Sequence, residues 1–133
     1  MKDKILISTG GSGGHVIPAI TIYDHLKNDY DIVISTDLRG VKYLENNIFK
    51  VFVIDTPKLN KSILIPFAIL KVIFLTLKSL FLLKKEKIQI LISTGGYMSL
   101  PLCLAAKILK IKIFLLEPNM IIGRANKFFL NFC

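Results

Sequence analysis

A chain of 133 residues, 53% of them hydrophobic, has the length and apolar mass for one packed domain, which excludes a disordered segment. Its formal charge of +9 calls for an anionic partner, but the chain has no Trp and no basic-aromatic strip on which bases could stack, so nucleic acid is set aside in favour of phosphorylated substrates or an acidic lipid surface. The two cysteines, Cys103 and Cys133, lack Cys or His at metal-ligand spacing, which excludes a zinc site or a disulfide framework and fits a reducing compartment.

Taken in chain order, the apolar run Ile5–Ser8 stops at glycines and reads as a buried strand; it is too short for the apolar core of a signal peptide. His15–Asn28 is helical, with Pro18 expected in its first turn. Asp31–Thr36 is a second strand, Val41–Asn46 a short helix and Val51–Ile54 a third strand. The long apolar segment Ile63–Leu83 follows, then a fourth strand Ile88–Ser93, a helix Met98–Lys110, a fifth strand Ile111–Leu116 and a last helix Ile122–Asn131. Strands alternating with helices indicate an α/β domain: one doubly wound, Rossmann-like parallel sheet with right-handed crossovers.

One stretch occurs twice. Ile5-Leu6-Ile7-Ser8-Thr9-Gly10-Gly11 returns letter for letter as Ile90-Leu91-Ile92-Ser93-Thr94-Gly95-Gly96. In a doubly wound sheet the first and fourth strands are neighbours at the switch point, where ligands bind, so both glycine loops are expected on one cleft. Chance likeness of two β-rich edges is the alternative; Ser-Thr-Gly-Gly is hard to repeat by chance. The first loop, Gly10-Gly11-Ser12-Gly13-Gly14-His15, is neither the dinucleotide fingerprint, since Val16 holds the third glycine position, nor a Walker loop, since no Gly-Lys-Ser/Thr follows. Glycines between a strand and a helix still bring backbone N–H groups to an anion, and Ser12 adds a hydroxyl, so a phosphate or diphosphate is the expected ligand. Asp37, after the second strand, reads as a cap or turn residue.

His15 stands at the start of a helix, which disfavours imidazolium and leaves a ring able to accept a proton; a ring that only hydrogen-bonds the loop is the competing reading. His25, among polar neighbours, reads as a solvated helix residue. Glu117-Pro118-Asn119 follows the fifth strand at the same sheet edge as the glycine loops. Asn119 can donate and accept towards sugar hydroxyls, and Glu117 is expected to anchor its loop.

Ile63–Leu83 has Ile, Leu, Val or Phe at 15 of 21 positions, enough to span a bilayer by length. Lys71 near its centre costs roughly 2.5–3.5 kcal/mol in a bilayer against roughly 0.3–0.6 kcal/mol returned per apolar residue, which comes near balance. A crossing would put the two glycine loops on opposite sides of the membrane. Lys71, Lys78 and Lys85 recur every seven residues and share one helical face, as an interfacial helix requires, with Phe74 and Phe81 as apolar contacts beside them. A helix buried inside the fold is the alternative.

Gly10–Ala19, Gly95-Gly96-Tyr97-Met98-Ser99-Leu100-Pro101 and Glu117-Pro118-Asn119 with Gly123-Arg124-Ala125-Asn126-Lys127 resemble, in order and spacing, three motifs of the MurG-type transferases of glycosyltransferase family 28. The resemblance covers essentially the whole chain but only the N-terminal half of the family's two-domain GT-B fold. It implies an inverting enzyme, independent of metal and cofactor, that moves N-acetylglucosamine from UDP-N-acetylglucosamine to a polyprenyl-diphosphate-linked muramyl-peptide in peptidoglycan synthesis. It places that enzyme peripherally, on the anionic cytoplasmic face of the cell membrane. Carried over, His15 is the candidate base; Ser12, Gly13 and Gly14 lie against substrate phosphates and the donor sugar. Gly95, Gly96, Tyr97 and Ser99 help hold the acceptor diphosphate, and Asn119 contacts the donor sugar. The family usually has His and Gln where this chain has Leu116 and Pro118. No nucleotide-binding half follows before Cys133, so residues 1–133 are expected to form the acceptor-side domain, inactive alone and completed by a C-terminal donor domain in cis or trans. Two other readings stay open: the acceptor subunit of a split transferase, and a non-catalytic surface module binding polyprenyl-diphosphate lipids.

Overall fold

The computed structural model describes residues 2–44, 49–56 and 65–130. Its strands are β1 (Lys4–Ser8), β2 (Asp31–Thr36), β3 (Val51–Val53), β4 (Ile90–Ser93) and β5 (Lys112–Leu115); its helices are α1 (Gly13–Leu26), α2 (Leu38–Val41), α3 (Ile65–Lys85), α4 (Ser99–Ile108) and α5 (Arg124–Phe129). All pairings are parallel, in the order β3-β2-β1-β4-β5. The chain works outward from β1 in one direction, then crosses through α3 to build the other half. That crossing puts the switch point between β1 and β4, with the two copies of the repeat side by side in register: Ile5 against Ile90, Ser8 against Ser93.

Strands buried on both faces carry apolar residues continuously rather than alternately, which is why the strand sequences read as unbroken runs. Ile5, Ile7, Ile32 and Ile34 face one layer with Val16 and Ala19 of α1 and Leu44. Leu6, Val33 and Leu91 face the other, with Leu83 of α3, Leu102, Cys103, Ala105 and Ala106 of α4, and Phe129 of α5. At the N-terminal edge of the sheet Glu86 Oε2 accepts from Lys4 and Lys50, both at 2.7 Å; these hydrogen bonds hold its carboxyl below the usual range despite partial burial.

Several boundaries differ from expectation for a common reason. Ile88 and Ile111, read as first residues of strands, instead give their N–H groups to the helix carbonyls of Leu83 and Ala106, both at 2.9 Å, while Lys87 and Lys110 donate to Lys84 and Lys107. This is the paired closing pattern of a helix C-terminus, and it requires a left-handed residue: Lys87 has φ 54° and Lys110 φ 57°. Glycine carries no steric penalty there, so Lys110→Gly should raise stability by about 1 kcal/mol, read as an increased midpoint of thermal unfolding; an unchanged or lower midpoint counts against the assignment. α1 begins two residues before His15, at Gly13, which makes Pro18 an interior residue and denies the Gly14 carbonyl its helical donor. The short helix is Leu38–Val41, capped as expected by Asp37, whose Oδ1 accepts from Gly40 N at 2.9 Å; Asn46 of the expected span lies outside the described residues. The last helix starts at Arg124 with Gly123 as its N-cap, leaving Ile122 outside it; Asn131, like Ile63 and Leu64 of the apolar segment, lies outside the described residues.

α3 buries a narrow stripe, Val72, Thr76, Ser79 and Leu83, against α4. Small polar residues in that stripe let the two helices approach closely. Its other side carries Phe67, Phe74 and Phe81 at 71%, 56% and 69% exposure, with Leu70, Ile73 and Leu77 between them. By length and composition Pro66–Lys85 is enough to cross a membrane. However, α3 joins β3 to β4 within one hydrogen-bonded sheet, and a crossing would separate the two strands.

Candidate functional site

The C-terminal ends of all five strands meet at one cleft of about 300 Å3. β1 supplies Gly10, Gly11, Ser12 and the following His15; β2 supplies Arg39, β3 Thr56, β4 Gly96, Tyr97 and Met98, and β5 Glu117, Asn119, Gly123 and Arg124. Convergence at this edge follows from parallel pairing, because every strand then delivers its following loop to the same side.

The two glycine loops are interlocked. A Cβ on Gly96 would stand 3.2 Å from the Gly10 Cα, and Gly96 has φ 88°, a conformation strained for any other residue. The first loop uses glycine differently. None of its glycines has a left-handed φ, and at Gly11 the constraint is close approach: a Cβ there would fall 2.1 Å from Asp37 Oδ1. His15 Nδ1 lies 2.7 Å from the Thr94 carbonyl oxygen. A carbonyl only accepts, so Nδ1 carries the hydrogen. In the neutral ring Nε2 is then a bare lone pair at the cleft. One imidazole thus ties the helix after β1 to the turn after β4. Ser99 is buried, and its Oγ donates to the Gly96 carbonyl at 2.7 Å, bracing the second loop from behind.

The β5 loop is held by one carboxylate. Glu117 Oε1 accepts from Asn119 N (3.2 Å) and Asn119 Nδ2 (2.9 Å), and Oε2 accepts from Gly123 N (2.7 Å) and Asn126 Nδ2 (3.1 Å). Burial raises its pKa, but the donors, Gly123 N foremost, outweigh burial and hold it below the ordinary value of 4.5. A carboxylate depressed in the folded state stabilises fully above its ordinary pKa and loses that contribution as pH falls through the depressed value. The Gly123 amide shift in NMR should therefore titrate with a midpoint below 4.5; a midpoint at or above it would show that the four donors do not favour the ionised form.

Of the residues picked out from sequence, Ser12, His15, Gly96, Tyr97 and Asn119 line the cleft. Gly13 and Gly14 lie in the first turn of α1, Gly13 facing the Tyr43 ring, and neither is among the lining residues; Gly95 is covered by His15 and Asn126. Glu117 anchors its loop as expected. His25 is exposed and bonded to the Thr21 carbonyl within its own helix. Lys71, Phe74, Lys78, Phe81 and Lys85 are all exposed on α3, away from the cleft, with Lys78 Nζ 4.8 Å above the Phe74 ring and Lys85 Nζ 6.0 Å above that of Phe81. Arg39, Thr56 and Met98 were missed as cleft residues, and Arg124 carried no assigned role. The available signal for Arg39 was its place just past the end of the strand beside β1.

Residues 5–133 match the N-terminal domain of glycosyltransferase family 28. Over its whole length the chain is 54% identical to the UDP-N-acetylglucosamine–N-acetylmuramyl-(pentapeptide) pyrophosphoryl-undecaprenol N-acetylglucosamine transferase of Pelagibacter ubique, of which it covers 38%. The transferase of the same name from the Wolbachia of Brugia malayi is 38% identical across 96% of this chain, which covers 36% of that protein. The chain therefore spans under two-fifths of the length of these relatives. In structure, Acinetobacter baumannii MurG superposes with a TM-score of 0.81 over 94% of this chain and 38% of its own, at 23% identity, which shows the shared Rossmann-like half of the GT-B fold. With the family motifs on the cleft and the match running from β1 to the last residue, this chain belongs to glycosyltransferase family 28, through that family's N-terminal domain.

Proposed function

We propose that this chain is the acceptor-side half of an inverting transferase that moves N-acetylglucosamine from UDP-N-acetylglucosamine to the muramyl sugar of a polyprenyl-diphosphate-linked peptide. The observation that carries the reading is the His15 ring, with Nδ1 engaged by the Thr94 carbonyl and Nε2 left to the cleft. An acceptor hydroxyl within reach of Nε2 gives up its proton as its oxygen attacks the anomeric carbon. The bond from that carbon to the UDP oxygen breaks, UDP leaves with the electron pair, and the configuration inverts in one displacement. Ser12 and the backbone N–H groups of the glycine loops, with Gly13 and Gly14 at the N-terminal turn of α1, favour the substrate phosphates. Gly96 and Tyr97, braced through Gly95 and Ser99, shape the acceptor side. Asn119 gives one N–H to Glu117 and keeps its amide oxygen for a sugar hydroxyl. The donor half belongs to a C-terminal domain, in cis or in trans.

The same reading puts α3 on the anionic cytoplasmic surface of the membrane as a peripheral contact. Its exposed Phe74 and Phe81 would enter the acyl boundary while Lys71, Lys78 and Lys85 reach the headgroups. The test of the activity joins this chain to the remaining C-terminal part of the Pelagibacter transferase and assays transfer to the lipid-linked acceptor. Transfer by the joined protein and none by the chain alone is the expected result; a folded joined protein without transfer sinks the reading.

A further inference from the structure

Two arginines line the cleft, and they stand in different places. Arg39 follows β2, which pairs directly with β1, and its neighbour Asp37 lies against the Gly11 backbone of the first glycine loop. Arg124 opens α5 beyond β5, which β4 separates from β1. The side chains are also held differently. Arg39 Nε and Nη2 each lie 2.8 Å from Asp37 Oδ2. Asp37 is buried and held on two sides: its other oxygen caps α2 through Gly40 N, and the Gly11 backbone packs onto the carboxylate so closely that no side chain fits between them. The guanidinium itself is open, with its side chain 62% exposed and, among the described residues, no partner at Nη1. Thr56 also lines the cleft, and its buried Oγ1 has no hydrogen-bond partner among the described residues.

From this arrangement we infer that Arg39, held in place by Asp37, is the side-chain cation for a phosphate seated on the first glycine loop. The inference rests on the reading of the cleft as a diphosphate site and adds a residue to it. Backbone N–H groups and a helix terminus supply only partial charges, whereas a diphosphate in a cleft carries at least two full negative ones. Among the described residues that line the cleft, Glu117 is the only carboxylate, and it is occupied by its four donors, so of Glu117 and Asp37 only Asp37 engages Arg39. Asp37 takes the Nε edge of the guanidinium and leaves the Nη1 end for the ligand. A lysine could not divide itself this way, since an ammonium is a point charge without a fork. Asp37 is a positioning residue in this scheme, acting through Arg39 and through its contact with Gly11.

The test is calorimetric titration of this chain with inorganic pyrophosphate, with geranyl diphosphate and UDP as two further arms. Arg39→Ala should bind pyrophosphate about tenfold more weakly, and Arg39→Lys should stay about threefold weaker than the unmodified chain. Asp37→Asn keeps the oxygen that caps α2 but turns an amide donor towards the guanidinium, and should cost about threefold while unfolding at a similar temperature. Loss confined to geranyl diphosphate assigns the phosphate to the acceptor lipid, and loss confined to UDP assigns it to the donor. Arg39→Ala binding within twofold of the unmodified chain overturns the role of Arg39 and leaves the cleft a phosphate site. Asp37→Asn with full affinity removes the positioning role. Failure of the unmodified chain to bind any of the three overturns both the inference and the diphosphate reading beneath it.

Discussion

Replacing His15 by alanine is expected to lower sugar transfer about 10²–10⁴-fold in the protein that joins this chain to a donor half, with the KM for the acceptor changed little. The size follows from removing the group that takes the proton in the transition state, while the glycine loops that bind phosphate remain. His15 also ties the two loops together through the Thr94 carbonyl, and alanine removes that tie as well. His15→Asn separates the two roles. Its amide nitrogen can still donate to Thr94, but it offers no base. If His15 is the base, the asparagine variant should be about as impaired as the alanine variant. If it transfers sugar at a substantial fraction of the unmodified rate, the ring only clamps the loops and the proton goes elsewhere.

Replacing Lys71, Lys78 and Lys85 together by glutamine is expected to weaken binding to vesicles containing anionic lipid by about two orders of magnitude. Each lysine near such a surface contributes about 1 kcal/mol, and three contribute about 3. The same variant should bind neutral vesicles no worse than the unmodified chain. Phe74→Ser with Phe81→Ser should weaken binding to both kinds of vesicle, by about 30-fold, because each ring is already partly covered and entering the acyl boundary gains about 1 kcal/mol per ring. Equal binding by all these proteins would mean that α3 does not meet lipid. None of the five side chains is buried, so folding itself should be nearly unaffected, and thermal unfolding serves as the control.

Much of the site was legible because its chemistry is local. The glycine loops, His15 and the Glu117–Asn119 turn each follow directly from a strand, so finding the strand placed the residues. The readings that shifted depended on groups outside the residue's own apolar run. Whether Ile88 starts a strand depends on the Leu83 carbonyl, five residues back in the preceding helix, that takes its N–H. Whether Gly11 needs to be glycine depends on Asp37, which arrives from the next strand. The sequence signal for Arg39, its place just past the strand beside β1, was weak, because an arginine there is usually a solvated cap neighbour; the Asp37 contact and the shared cleft distinguish it.

By itself, the sequence determined the alternation of elements, the parallel sheet and the repeated strand-to-glycine turn, because apolar periodicity and glycine placement act through covalent neighbours. It also determined that the apolar segment carries its lysines on one face, since helical period needs no partner. Only the tertiary structure decided which glycines serve left-handed turns and which make room for a neighbour, that Arg39 joins the glycine loops at the cleft, and which nitrogen of His15 is left to it. Those depend on pairings such as β1 with β4 and β1 with β2, which put Ile5 beside Ile90 and Ile32, residues 85 and 27 positions away. No local pattern carries the energy of such contacts; it exists only once the sheet has closed around them.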